Sequence, residues 1–171
     1  MNNIAFIFWS IALILLQALV FNHVCLFGYA VPFVFLYILV KLPLNMSKEW
    51  LFTIAFFIGL VIDIFSDTLG MNALACSLTM ALRRPVIRLY VAREDELSDP
   101  RPGLRSLGTF TFIKFALSLS LIYCIFIFFI ESFSTLGIVR VLLRIGASTL
   151  LTTLLIVGID SLTIRKREER L

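Results

Sequence analysis

Few side chains in this 171-residue sequence can carry chemistry, and the telling ones lie in or beside long apolar runs. A charge at the centre of a bilayer costs about 2.5–3.5 kcal/mol on insertion scales, so such residues are kept for a reason. Asp63 and Asp67 share four-residue spacing with Ala55 and Gly59, which places all four on one stripe of a helix. Ala55 and Gly59 are small enough to let a neighbouring helix approach closely, so Asp63 is expected to face protein. Arg140 and Arg144 repeat that spacing with Ser148 and Thr152. Arg144 falls roughly 10 Å into its apolar run at 1.5 Å per residue, a depth that matches Asp63, Asp67 and Glu131. Charges inside a membrane pair with one another, so a salt-bridged network between the third and sixth runs is expected in the outer leaflet. Three uses of it stand open: pinning two helices, relaying a proton or ion, or meeting a partner's membrane segment.

Catalytic constellations are missing from the sequence. His23 is the sole histidine, and Cys25, Cys76 and Cys124 are odd in number and widely spaced, without a CxxC pair. Neither a disulfide framework nor a zinc site follows, and buried apolar thiols are the ordinary reading. No GxSxG, HExxH or SxxK pattern occurs, and no Gly-rich phosphate loop. The basic runs lack the aromatic interleaving of a nucleic-acid surface. The expectation is a non-enzyme with no cofactor, no metal and no nucleic-acid partner.

The elements that must position these residues follow from composition. The chain is 60% hydrophobic and 15% charged, against about 45–50% and 25% in soluble domains, and its mean hydropathy is +1.02. A soluble globular domain is excluded, and so is a disordered chain, given 17 phenylalanines. Apolar runs at 4–21, 29–42, 50–65, 69–82, 107–130 and 137–162 give an all-α, polytopic membrane protein of about six transmembrane helices in one domain. The second run is flanked by Pro32 and Pro43, and the fourth is stopped by Arg83, Arg84 and Pro85. Both are short for a hydrocarbon core of about 30 Å, so either could instead be re-entrant or buried inside the bundle. The first run lacks a basic n-region and is expected to be a retained helix rather than a signal peptide.

Basic residues set the orientation. Lys48, then Arg83, Arg84, Arg88, Arg93, Arg101 and Arg105, then Arg165, Lys166, Arg167 and Arg170 fall at every second turn and at the tail. Lys/Arg excess marks the cytoplasmic side, so both termini, a loop at about 83–106 and a basic tail at about 163–171 are expected there. Within the loop, residues 84–91 alternate basic and apolar side chains as an interfacial segment does, ahead of a solvated tip at Glu94, Asp95 and Glu96. This loop, with Arg83, Arg84 and Arg88, serves either as an anchor or as a docking surface. Ser10 and Gln17 share a face and can bond across helices, while Lys114 can snorkel to the surface. Asp160 is expected near the inner surface at small cost, and the Phe-rich stretch 122–130 is expected to face lipid.

The stretch from Gly59 to Leu74 (GLVIDIFSDTLGMNAL) carries a Gly, an apolar run, Asp63, and a turn ending Leu69-Gly70 with Asn72 before Ala73-Leu74. Gly70 suits a positive φ in the turn, and Asn72 suits a cap on the next helix. The pattern resembles the signature of the bacterial rod shape-determining protein MreD family, with Asp67 standing where many members carry Gly. Length, hydropathy and the basic tail extend the resemblance over the whole chain. It implies an inner-membrane, non-enzymatic component of the cell-elongation machinery for peptidoglycan synthesis. Its implied partner is MreC, and through it the MreB filament, RodA and penicillin-binding protein 2. It also implies a six-helix fold similar to the substrate-binding subunits of energy-coupling-factor transporters. The alternative is a small-molecule-binding subunit or transporter with an open pocket over Asp63, Arg140 and Arg144, where a scaffold has a filled cluster.

Overall fold

Pro32 decides how the second apolar segment enters the molecule. The residue before a proline is pushed out of the helical region, so Val31 begins an extended stretch rather than a helix. In the computed structural model, which describes residues 3–19, 30–91, 101–131 and 138–168, helix begins only at Leu36. Six α-helices are described: α1 (Asn3–Leu19), α2 (Leu36–Lys41), α3 (Lys48–Ser66), α4 (Met71–Tyr90), α5 (Thr109–Glu131) and α6 (Ile138–Glu168). No strand is present among the described residues. His23, Cys25, Arg93 and the acidic tip at 94–96 lie outside them, as do the side chains of the basic tail.

α3, α5 and α6 are long and apolar enough to cross a membrane, and α1 holds a shorter apolar helix over Phe8–Leu19. α3 packs on α4, α4 on α5 and α5 on α6, while α1 lies against α3. Lipid-sized side chains cover the outside, among them Phe8, Phe57, Ile64, Leu142 and Leu154, all exposed. In water such a surface would aggregate; in a bilayer it is the ordinary exterior.

The second segment is the core of the bundle. Phe33 to Val40 are all buried, and α2 touches both α5 and α6. Six residues of helix alone rise about 9 Å, but an extended lead-in at about 3.3 Å per residue adds reach that a helix would need twice the residues to supply. Extended backbone inside a bundle needs every N–H and C=O satisfied by protein. Val31 N donates to Ser148 Oγ at 3.0 Å, and Phe33 N to Thr152 Oγ1 at 3.1 Å. Val34 N donates to Gln17 Oε1 at 2.8 Å, while Gln17 Nε2 donates back to the Pro32 carbonyl at 3.1 Å. Pro32 itself has no N–H to satisfy. Gln17 of α1 and Ser148 and Thr152 of α6 thus hydrogen-bond this segment.

α4 corrects the expectation of a loop beginning at Arg83. The helix runs through Pro85 to Tyr90, so Arg83, Arg84 and Arg88 are helical residues and the connection starts after them. Its buried residues Cys76, Thr79, Met80, Arg83, Val86 and Ile87 keep a helical period, which continues the apolar face past the proline. Stretch 122–130 is likewise half core. Phe33 stacks edge-on against Tyr123 at 5.0 Å and Phe128 at 6.2 Å, and Phe35 against Tyr123 at 5.6 Å, while Ile125 and Phe129 stay exposed.

Candidate functional site

The Gly59–Leu74 motif folds into a hairpin whose polar groups meet at one point. Gly59 brings α3 against α4 so closely that a Cβ there would lie 2.5–2.6 Å from backbone atoms of Asn72 and Ala73. Ala55, one turn earlier, is also fully buried. One turn after Gly59, Asp63 carries a carboxylate that is 4% exposed. The chain then reverses through Asp67, at φ +52° in the left-handed region, with the N–H groups of Asp67 and Thr68 both returned to the Asp63 carbonyl. Gly70, at φ +75°, is the residue ahead of α4.

A helix begins with N–H groups that have no internal acceptor, and Gly70 offers no side chain to meet them. Asp63 supplies the acceptors from the preceding helix. Its Oδ1 accepts from Asn72 N at 2.9 Å and its Oδ2 from Ala73 N at 2.8 Å. Oδ1 also accepts from Asn72 Nδ2 at 2.9 Å and from the Thr68 hydroxyl. A carboxylate here also sits at the positive end of the α4 dipole. Asn72 was expected to cap α4, and the cap is instead Asp63. The Asn72 side chain bridges Asp63 to α5 by accepting from the Tyr123 hydroxyl.

The expected network between the third and sixth runs does not form. Arg144 pairs with Glu131 at 3.1 Å and lies over the Phe128 ring at 5.0 Å, while Arg140 is exposed. Among the described residues no ion pair joins either arginine to Asp63. α4 and α5 stand between α3 and α6, so equal depth in the membrane did not make these charges neighbours. Asp67 is exposed at the turn and takes no part.

At the opposite end three charged side chains, Lys41, Asp160 and Arg83, make contacts that the sequence does not disclose. Asp160 was expected near the surface at small cost but is fully buried. Its carboxylate pairs with Lys41 Nζ at 2.6 Å and accepts from Tyr37 Oη at 3.1 Å and Leu104 N at 2.9 Å. The residual signal was available: an acid and a base each close an apolar run at the same end of the alternation. Arg83, 1% exposed, reaches the carbonyls at the end of α2, donating to Val40 and Pro43 at 3.3 Å each and to Leu42. Those carbonyls lack helical donors, and Pro43 can donate to none, so a buried guanidinium replaces the missing N–H groups.

Together these contacts occupy the interior. Asp63 has both oxygens in hydrogen bonds, and Cys76 and Cys124 are buried free thiols. Among the described residues no group of three or more His, Cys, Asp or Glu side chains gathers to hold a metal. The charged ends also fix chain direction: Lys41, Arg83, Leu104 and Asp160 gather at one end, and Asp63, Tyr123, Glu131 and Arg144 belong to the other ends of their helices. No family model, curated protein or solved structure matches this chain.

Proposed function

We propose that this chain is a non-enzymatic membrane scaffold of the bacterial cell-elongation machinery, acting in the inner membrane through association with MreC. RodA, penicillin-binding protein 2 and MreB would be reached through that contact. The observation that carries the reading is the Asp63 clasp: the motif residues Gly59, Asp63, Gly70 and Asn72 are spent on one rigid hairpin. An interior consumed by its own contacts leaves helix faces and the connecting segments to meet partners. In this reading the chain crosses six times, with the second crossing made by the extended segment and α2, and both termini are cytoplasmic. A scaffold of this kind works by favouring one conformation of its partner, because only differential affinity shifts a population.

Crosslinking in intact membranes followed by copurification tests the proposal. Recovery of MreC-like and cell-wall synthase proteins is the expected result. Recovery of an ATPase transport module instead would overturn it in favour of a solute-binding subunit.

A further inference from the structure

Between the start of α3 and the end of α4 lies a groove of about 510 Å³, within the size range of small-ligand sites. Three cations line it: Lys48 from α3, and Arg84 and Arg88 from α4. Leu51 and Met80, both buried, form its floor. Pro85 shapes the α4 wall, because residue 85 has no N–H to return to the carbonyl of Ala81, and both residues border the groove. Arg84 is anchored by donating to the Met46 carbonyl at 2.7 Å, yet its Nε is buried without a hydrogen-bond partner. Glu49, the acid nearest in sequence, is exposed and outside the lining, yet close enough to attract both Arg84 and Lys48, which leaves the groove net positive.

From this geometry we infer a binding site for one anionic phospholipid. Lys48 begins a helix long and apolar enough to cross a membrane, which sets the three cations at headgroup level. Basic pockets between membrane helices take phosphate-bearing headgroups at that level. The apolar part of the groove continues outward through Phe52 to Phe56 one turn deeper, both exposed, which gives acyl chains a track along α3. A soluble anion would use the cations but not the track. A lipid uses both.

Phe52 lines the groove and is 47% exposed, so the substitution Phe52→Trp sets a fluorophore that reports on occupancy. In a Trp9→Phe/Trp50→Phe background it is the sole tryptophan. Nanodiscs of phosphatidylcholine would carry equal small fractions of either brominated phosphatidylglycerol or brominated phosphatidylcholine. The expected result is half-quenching of that groove tryptophan at a severalfold lower fraction of the brominated anionic lipid. Replacing Lys48 and Arg88 by Gln, with Arg84 kept because it holds the Met46 carbonyl, is expected to raise that fraction by about fivefold per cation removed. A melting midpoint equal to the parent's certifies the fold of the variant. Equal quenching by the two lipids, as expected if an acidic protein segment is the true occupant, overturns the inference. So does an anionic preference that survives in a folded K48Q/R88Q variant.

Discussion

Replacing Asp63 by leucine keeps the branched shape of the side chain, at a larger volume, and removes both of its acceptors at the start of α4. Two backbone donors, Asn72 N and Ala73 N, lose bonds of 2.9 and 2.8 Å in a position closed to water. An orphaned buried donor costs about 1–3 kcal/mol, and the lost charge at a helix N-terminus adds about 0.3–1 kcal/mol. The Asn72 amide recovers part of its loss, because Thr68 Oγ1 already lies 3.3 Å away. The sum is about 2–7 kcal/mol, which for a chain of this length lowers the melting midpoint by roughly 5–28 °C. Asp63→Asn retains one oxygen and sets an amide NH2 against one backbone N–H, so about 1–3 kcal/mol is expected. The assay is thermal unfolding of the purified protein in one detergent, followed by loss of monodispersity and by tryptophan fluorescence. A leucine variant as stable as the parent would refute the capping role. Equal losses for Asn and Leu would refute the assignment of separate bonds to the two oxygens.

Lys41→Met is expected to destabilise by about 3–5 kcal/mol, because it leaves the buried Asp160 carboxylate alone, Asp160→Leu by less, because the Lys41 left behind is 16% exposed, and the double variant by less than the sum; a double-mutant cycle of unfolding midpoints checks this. Gly59→Ala drives a Cβ into the α4 backbone and should cost about 1–3 kcal/mol or more, read by the same melt. Asp67→Val is expected to cost about 1–2 kcal/mol at φ +52°, whereas Asp67→Gly is tolerated without loss, and comparing the two midpoints decides it. Arg144→Ala should change stability by no more than about 1 kcal/mol, because Glu131 is 42% exposed and the pair is solvent-screened.

What the sequence disclosed depended on whether a feature was local. α3, α5 and α6 follow from length and apolarity alone, and the four-residue stripes of Ser148 with Thr152 were visible as polar faces. Their partner was not, because it is an extended backbone stretch created by Pro32 and carries no side-chain signature. Pro85 misled in the other direction. A proline beside two arginines looks like a helix end, yet Val86 and Ile87 still had a core to fill and the helix continued. Depth was computable at 1.5 Å per residue, but helix adjacency was not. Asp63 was therefore assigned to arginines that lie two helices away, while Asp160 and Lys41, at the ends of two apolar runs, met each other.

Whether the interior is filled or holds a solute chamber is tested by the reactivity of Cys76, which lies one turn beyond Asn72 on α4 and is fully buried. With Cys25 and Cys124 replaced by Ser and the fold confirmed by melting, a small methanethiosulfonate reagent is applied in membranes and followed by mass spectrometry. The filled clasp requires that Cys76 stay unmodified until the protein is denatured. Rapid modification in the native state, slowed by adding a small solute, would mean a wetted chamber beside Asp63 and would contradict the scaffold.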